Sequence, residues 1–262
     1  MEIGGKINLS VQNLSIAFDG LQALTAISFD VTRGSITALI GSNGAGKTTI
    51  FNLISGFLKP DSGSVIVAGK NLMGKRPDLI GSLGVGRTFQ DCKVFEQLSV
   101  IDNVRLGIRD RRSETFFSAL LQSRRLREAE KFKTIRSLEL LDYAGLADKR
   151  NSLACDLSYG QRKLLEICRV RAFDPQVYLL DEPFSGLFPD MATRMSKVIK
   201  DLRDNEKTVV FIEHDMEVVR GIADRVIVLD FGRLIADGAP ESVFNDPAVL
   251  EAYLGGLVNY AS

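Results

Sequence analysis

The chain has little of what marks several large classes of protein. Its 262 residues include one histidine and three cysteines, and no two cysteines form a C-x-x-C pair. An odd number of scattered cysteines argues against a disulfide framework or a zinc site, and it predicts reduced thiols in a cytosolic protein. No apolar run approaches the ~20 residues that a membrane helix needs. The first residues, Met-Glu-Ile-Gly-Gly-Lys, lack the apolar core of a signal peptide.

Neither sign of charge is in excess. Lys plus Arg and Asp plus Glu both number 33, so the formal net charge is zero. A general nucleic-acid binder would carry a basic excess, and we therefore expect no nucleic-acid partner. Hydrophobic residues make up 45% of the chain, which is enough for one large α/β domain or for a core with an inserted subdomain.

The clearest positive signal is a glycine-rich stretch at residues 41–48, Gly-Ser-Asn-Gly-Ala-Gly-Lys-Thr. It matches the phosphate-binding loop pattern G-x-x-x-x-G-K-[ST] at every required position. The glycines let the backbone wrap tightly enough for its N–H groups to surround a triphosphate. Lys47 adds a positive charge for the outer phosphates, and the Thr48 hydroxyl can ligate Mg²⁺. An apolar strand at 35–40 precedes the loop, and a helix follows it with one apolar face, made of Ile50, Leu53, Ile54 and Phe57.

Apolar periodicity predicts a mixed α/β chain. Strands are expected at 7–18, 26–31, 35–40, 64–68, 84–89, 177–180, 208–212, 225–229 and 234–236. Helices are expected at 101–108, around 116–121, at 128–143, 191–203 and 216–222, and as two short segments between 240 and 256. The first three strands are joined by connections too short for helices, which predicts an antiparallel opening. Ser158 is predicted to cap a further helix, and residues 91–157 are predicted to form a helical insertion.

Polar side chains follow four of the predicted strands, which is where open parallel sheets bind ligands. Besides the phosphate loop, these are Gln90, the pair Asp181-Glu182 and the pair Glu213-His214. Two adjacent carboxylates at the end of a buried strand need a partner charge, and Mg²⁺ is the expected one. Asp181 is thus predicted to hold the Mg²⁺ hydration shell alongside Thr48. Glu182 is predicted to orient or deprotonate the attacking water, and His214 to contact the γ-phosphate.

Phe18 ends the first predicted strand, ahead of the phosphate loop. It could stack on a nucleotide base, or it could be an ordinary core aromatic on a strand, and the sequence leaves both interpretations open.

Taken together, these motifs resemble the ATP-binding subunits of ABC transporters over nearly the whole chain. In order they match Walker A (41–48), the Q-loop (Gln90), the signature motif Leu-Ser-Tyr-Gly-Gln (157–161), Walker B (177–181), the catalytic glutamate (Glu182) and the switch histidine (His214). The stretches at 86–90, 212–216 and 252–255, and the long insertion after Gly107, resemble the larger ATPase of branched-chain amino-acid importers, the LivG type. Urea and amide importer ATPases are closely similar.

The resemblance implies a P-loop NTPase core of the ABC type with an antiparallel β subdomain and an inserted α-helical subdomain. We expect the core at 1–90 and 158–238, the helical subdomain at 91–157 and a C-terminal helical tail at 239–262. ATP and Mg²⁺ are the implied cofactors. The implied ATP-binding residues are Phe18, Gly41, Ser42, Asn43, Gly44, Ala45, Gly46, Lys47, Thr48 and Thr49. Thr48, Gln90 and Asp181 would hold Mg²⁺ directly or through water.

The implied partners follow from the family's head-to-tail nucleotide sandwich. A second ATPase subunit, the same or a homologous chain, would place its ATP against Ser158, Gly160 and Gln161. Integral-membrane permease subunits would dock on the helical insertion, an extracytoplasmic solute-binding protein would act through them, and the chain would lie on the cytoplasmic face of the cell membrane. Two residues of these interfaces depart from the commoner family pattern: Tyr159 replaces a glycine, and Phe188 stands where Asp or Asn is usual.

The expected function is therefore MgATP hydrolysis coupled to solute import through separate membrane subunits. The alternatives are a soluble ABC ATPase acting on DNA or ribosomes, an exporter ATPase, and a subunit that binds ATP without turnover. A soluble ABC ATPase that acts on DNA or ribosomes usually carries a long coiled coil, a second cassette or a basic surface, none of which is visible in the sequence. Glu182 and His214 argue against a subunit that binds ATP without turnover.

Overall fold

The structure, a computed structural model, describes residues 6–108 and 122–258. The strands are β1 (Ile7–Phe18), β2 (Leu21–Thr32), β3 (Ile36–Gly41), β4 (Ser62–Val67), β5 (Lys70–Asn71), β6 (Val85–Arg87), β7 (Val177–Asp181), β8 (Thr208–Ile212), β9 (Arg225–Asp230) and β10 (Arg233–Gly238). The helices are α1 (Lys47–Ile54), α2 (Pro77–Ser82), α3 (Val100–Gly107), α4 (Gln122–Tyr143), α5 (Tyr159–Ala172), α6 (Pro189–Asp204), α7 (Met216–Ile222), α8 (Pro240–Val243) and α9 (Pro247–Val258). The helix predicted around 116–121 lies outside the described residues.

Two sheets organise the strands. One is antiparallel, in the order β2-β1-β4-β5, and the other has the order β10-β9-β3-β8-β7-β6. In the second sheet β9, β3, β8, β7 and β6 run parallel, and β10 pairs antiparallel with β9. The mixed α/β fold predicted from the sequence is confirmed. The four strands that polar residues follow, β3, β8, β7 and β6, lie side by side with their carboxyl ends at one edge.

The predicted antiparallel opening is right for β1 and β2 and wrong for β3. β1 and β2 form a hairpin through Asp19 and Gly20, whose φ values of 49° and 83° suit a two-residue turn. β3 leaves that sheet and pairs parallel with β8 and β9. All of its residues are buried, as they are in a parallel strand covered on both faces. A short connection therefore marks a change of sheet here, not a hairpin.

One hydrophobic core joins the two sheets and α1. It contains inward side chains of β1, β2 and β4, the buried face of α1, and side chains of β3, β7, β8 and β9. The prediction that Phe57 continues the apolar face of α1 is wrong, because the helix ends at Ile54. Gly56 has φ 77°, and Gly56 N–H and Phe57 N–H donate to the carbonyls of Leu53 and Asn52, which closes the helix end.

By their contacts the described residues divide into two compact units. The first lies within Met1–Gln90, Pro175–Ser185 and Ser196–Ser262, and the second within Asp91–Asp174 and Gly186–Met195. The second unit takes in α5, which the sequence-based division assigns to the core. In this unit α3, α4 and α5 pack on one another, and a Cβ at Gly107 would come within 2.3 Å of the Arg169 carbonyl oxygen. Across the described parts of both units, no helix combines the length and apolarity needed to cross a membrane.

Candidate functional site

Neighbouring atoms and backbone conformation restrict two glycines of the phosphate loop. Gly41 ends β3 with φ 151°, and a Cβ there would lie 2.2 Å from the carbonyl oxygen of Leu229 in β9. Gly46 precedes α1 with φ 100°, and a Cβ there would lie 2.5 Å from the Leu24 side chain. Packing against the Leu229 backbone thus requires glycine at position 41, and the positive φ favours glycine at position 46.

Lys47 lies at the start of α1 with its side chain buried. Its Nζ donates hydrogen bonds to the carbonyl oxygens of Gly41 at 2.8 Å and Ser42 at 2.9 Å. Burial lowers the pKa of Lys47, and the nearby carboxylates of Glu182 and Asp181 act in the opposite direction. The loop therefore places a cation within electrostatic reach of both carboxylates at the end of β7.

The remaining loop residues differ in their exposure. Asn43, Gly44 and Thr48 are exposed, Ser42 and Thr49 are half-buried, and Ala45 is buried. Thr48 lies in the first turn of α1, so its hydroxyl is open to a ligand at the helix N-terminus.

Two sequence-predicted residues, Gln90 and His214, contact the carboxylate of a third, Glu182. The Oε1 atom of Glu182 lies 2.9 Å from His214 Nε2 and accepts a hydrogen bond from Gln90 Nε2 at 3.4 Å. Glu182 follows β7, His214 comes two residues after β8, and Gln90 comes three residues after β6. Glu182 also has φ 47°, an uncommon value for a residue with a side chain. The strand order thus brings Gln90, Glu182 and His214 together, although they are far apart in the sequence.

Glu213, beside His214, faces inward and serves the backbone. Its buried carboxylate accepts hydrogen bonds from Phe184 N–H at 2.8 Å and from His214 N–H at 3.3 Å. It therefore fixes the segment after β7 and the backbone of His214.

Sequence reasoning missed Arg87 as a partner of the Walker B carboxylate. Arg87 Nη2 donates to Asp181 Oδ2 at 3.4 Å, and the two side chains are only 6% and 4% exposed. Burial lowers the pKa of Arg87, and Asp181 opposes that shift. The pair Asp181-Glu182 therefore has a protein cation nearby, where the sequence suggested Mg²⁺ as the partner charge. An arginine at the end of a short apolar strand, three residues before Gln90, was the available signal.

The signature residues lie in the second unit, at the start of α5. Ser158 caps the helix as predicted: its Oγ accepts from Gln161 N–H, while Gln161 Oε1 accepts from Ser158 N–H. A Cβ at Gly160 would lie 3.1 Å from Met191 Cγ, which is tighter than ordinary contact. The Tyr159 side chain is exposed. Ser158 and Gln161, the signature side chains that could reach a ligand, thus also stabilise α5.

Phe18 and Phe188 are among the aromatic residues whose side chains are exposed. Phe18, at the tip of the β1–β2 hairpin, is 43% exposed, so the interpretation as a core aromatic is wrong. Phe188, just before α6, is 82% exposed. Both rings are available to a ligand or to another protein.

The described residues contain no ready-made cage of three or more His, Cys, Asp or Glu side chains for a metal ion. The oxygen donors that the sequence predicts for a metal ion are all hard ones: the Asp181 carboxylate, the Thr48 hydroxyl and the Gln90 amide oxygen. A small donor set of this kind suits a cation that keeps most of its water or shares phosphate oxygens.

Comparisons with known proteins agree on the family. The chain matches the family described as ABC transporter over residues 24–185, more than half of its length. Residues 233–257 match a second family, described as branched-chain amino acid ATP-binding cassette transporter.

Named relatives cover almost the whole chain. It is 38% identical to the high-affinity branched-chain amino acid transport ATP-binding protein LivG of Escherichia coli K12, over 94% of this chain and 97% of that protein. It is 34% identical to BraF of Pseudomonas aeruginosa, again over 94% and 97%. The probable LivG of Archaeoglobus fulgidus is 37% identical over 94% of this chain and 95% of its own.

Solved structures agree with the fold. A nucleotide-free ATP-binding cassette from an ABC transporter superposes with a TM-score of 0.81 at 30% identity, covering 94% of this chain and 98% of that one. An ATP-binding cassette of an ABC transporter in its ADP conformation gives a TM-score of 0.80 at 28% identity, covering 95% and 99%.

Proposed function

This chain belongs to the ABC transporter family, and we propose that it drives the import of branched-chain amino acids or a related polar solute. It is an ATP-hydrolysing subunit, as its relatives are ATP-binding proteins of transport systems, and it works with membrane permease subunits. The solute is proposed from the names of relatives that span nearly the whole chain. In such a system solute recognition belongs to the other subunits.

The observation that carries the enzymatic part is the meeting of strand ends beside the phosphate loop. Glu182 Oε1 lies within 3.4 Å of both Gln90 and His214, and Lys47 lies within electrostatic reach of the same carboxylate. A carboxylate held by neighbours in this way is suited to orient the attacking water and to accept its proton. We assign Glu182 as the general base and His214 as the residue that contacts the γ-phosphate.

The site fits MgATP. The loop at 41–49 would surround the phosphates, Phe18 would stack on the base, and Asp181, Thr48 and Gln90 would hold Mg²⁺ directly or through water. The ion, when bound, would neutralise charge on the phosphate oxygens. Lys47 binds the outer phosphates, and Glu182 holds the water in line.

Two copies of this chain, or this chain and a homologue, would form the working unit. The proposed contacts with the partner's ATP are Ser158, Gly160 and Gln161. We propose that residues 1–90 and 158–238 form the nucleotide-binding core, that residues 91–157 form the helical subdomain on which the permease docks, and that residues 239–262 form a tail. This division assigns α5 to the core, although its contacts group it with α3 and α4. In this arrangement the subunit lies on the cytoplasmic face of the membrane, and a solute-binding protein acts through the permease.

Replacing Glu182 by Gln tests the assignment of the base. The variant keeps the size of the side chain and removes its proton-accepting charge, so we expect ATP binding to persist while turnover falls by roughly 100-fold or more. Glu206→Gln removes an exposed carboxylate, paired with Arg33, and is the matched control with unchanged turnover. Unchanged hydrolysis in Glu182→Gln would contradict the assignment.

The same variant tests which solute the system imports. In cells that carry Glu182→Gln in place of the natural chain, uptake of radiolabelled leucine should be lost, while the Glu206→Gln control keeps it. Normal leucine uptake together with lost urea uptake would move the assignment to a related polar solute. An effect on neither would contradict import by this system.

A further inference from the structure

Arg87 is the last residue of β6, and its side chain is almost completely buried beside the Walker B carboxylate. Its Nη1 donates to Asn52 Oδ1 at 2.8 Å and to Ser55 Oγ at 2.7 Å, both at the C-terminal end of α1. Its Nη2 donates to Asp181 at 3.4 Å. The guanidinium thus connects the end of the helix that follows the phosphate loop with the carboxylate at the end of β7.

Aromatic rings enclose the same guanidinium. Its central carbon lies 4.9 Å from the centre of the Phe89 ring, 5.7 Å from that of Phe51 and 5.8 Å from that of Phe57. Phe57 and Phe89 also pack edge to face at 5.7 Å. Phe89 directly precedes Gln90, so the rings that hold Arg87 include the neighbour of a residue that contacts Glu182.

Stability alone does not account for this arginine. Burying a guanidinium carries a large desolvation cost, and a well-packed apolar side chain often serves a core at least as well. The Arg87 Nε atom is moreover buried without a hydrogen-bond partner among the described residues. What a charged, planar side chain adds here is a fixed direction for the Asp181 carboxylate.

Lys47 reaches Asp181 electrostatically from the phosphate loop, but it also binds the loop's own carbonyl oxygens. The hydrogen bonds described for Arg87 go from its Nη1 and Nη2 atoms to Asn52, Ser55 and Asp181, and none of them reaches the phosphate loop. The two cations therefore have separable roles: Lys47 serves the nucleotide, and Arg87 serves the carboxylate.

We propose that Arg87 is a positioning residue that holds Asp181 in the orientation needed to receive the divalent cation. The inference rests on the proposed function, since it takes Asp181 as the acidic residue nearest the ion. Arg87 touches neither nucleotide nor ion in this arrangement and acts through Asp181. Phe89, one of the rings around Arg87, also directly precedes Gln90, which contacts the neighbouring carboxylate of Glu182.

The test measures metal binding directly and does not depend on turnover. Mn²⁺, which suits the same oxygen ligands as Mg²⁺, is titrated into the full chain saturated with the non-hydrolysable nucleotide AMP-PNP. The electron paramagnetic resonance signal of free Mn²⁺ then gives the dissociation constant of the ion. Arg87→Met should raise that constant by about tenfold or more, as loss of a residue that orients a ligand typically does. Binding of AMP-PNP in EDTA should change by no more than about twofold, because the phosphate loop is intact.

Arg225→Met is the matched control. Arg225 also pairs with an aspartate, Asp237. It is the first residue of β9, so it lies at the amino end of a strand, whereas the site lies at the carboxyl ends of the strands. It should lower the melting temperature without changing Mn²⁺ binding. Arg87→Lys, which keeps the charge but not the fork of donors, should fold and give a shift smaller than that of Arg87→Met.

A double-mutant cycle excludes a purely structural role. Asp181→Asn alone should weaken Mn²⁺ binding, and adding Arg87→Met to it should cause no further loss, because Arg87 acts through Asp181. A further loss in the double variant, or an unchanged Mn²⁺ constant in Arg87→Met despite a lower melting temperature, would overturn the inference. If the natural chain with AMP-PNP binds Mn²⁺ no better than the nucleotide alone, the proposed ion site itself is wrong.

Discussion

At the scale of single residues, the phosphate loop contains glycines that are required for different reasons. A Cβ at Gly41 would overlap the Leu229 carbonyl oxygen at 2.2 Å, and φ there is 151°. At Gly44 φ is 82°, but a Cβ there would meet no atom within 4 Å. A side chain at position 41 is therefore disfavoured both by neighbouring backbone and by the local conformation. At position 44 it is disfavoured by the conformation alone.

We therefore expect Gly41→Ala and Gly44→Ala to differ in stability. Gly44→Ala should cost about 1–2 kcal/mol, the strain of a left-handed conformation. Gly41→Ala should cost more than about 4 kcal/mol, because β3 or β9 must shift to accommodate the methyl group. Urea unfolding without nucleotide measures both, with Gly74→Ala, an exposed loop glycine with φ 71°, as the control. Equal losses at positions 41 and 44 would contradict the steric argument.

At the scale of elements, the N-terminus of α5 combines two requirements in the same side chains. Ser158 and Gln161 form reciprocal hydrogen bonds that cap the helix, and both are also proposed to contact a partner's ATP. Substitutions at Ser158 can separate these functions, because Asp caps a helix as well as Ser does but would repel a phosphate.

Ser158→Ala should lower the free energy of unfolding by about 1 kcal/mol through loss of the cap. Because Glu182→Gln should bind ATP without hydrolysing it, we expect that variant to accumulate as an MgATP-bound dimer. Ser158→Asp should keep the stability of the natural chain, yet abolish this dimer when combined with Glu182→Gln. Thermal unfolding and light scattering measure the two effects. A Ser158→Asp chain that still dimerises with ATP would exclude this helix end from the nucleotide interface.

The sequence predicts some elements of the fold better than others. Continuous apolar runs correctly predicted β7 and β8 because both faces of a parallel strand are buried. The end of α1 was missed because the apolar spacing continues to Phe57 beyond the Gly56 helix stop. The contact of His214 with Glu182 could be anticipated from strand ends that share one edge. The arginine at the end of β6 was visible in the sequence, but its pairing with Asp181 was not, because nothing in a three-residue strand tells which face an arginine occupies.

At the scale of the whole molecule, Phe188 is the residue best placed to test self-association. It is 82% exposed and follows the Walker B segment. An exposed aromatic contributes little to the fold, whereas a buried one at an interface is often a hot spot. In the Glu182→Gln background, Phe188→Ala should change stability by less than about 0.5 kcal/mol and weaken the MgATP-dependent dimer about tenfold.

Light scattering over a concentration series measures that dimer, and Leu79→Ala on α2, a half-exposed apolar residue, is the control. A dimer that is unaffected by Phe188→Ala would place the partner contact elsewhere. A Glu182→Gln chain that binds ATP and stays monomeric at every concentration would indicate that the natural partner is a different chain.

The position of β3 also has a consequence for synthesis on the ribosome. Its two neighbours in the sheet, β8 and β9, are among the last strands of the chain to be translated. Until β8 and β9 emerge, a strand that is entirely buried in the folded chain has two unpaired edges, and such edges favour association with other nascent chains. The loop that β3 carries also lacks the Leu229 backbone that shapes it. A prematurely terminated product is therefore an aggregation hazard and a substrate for chaperones and proteases, not a weakly active ATPase.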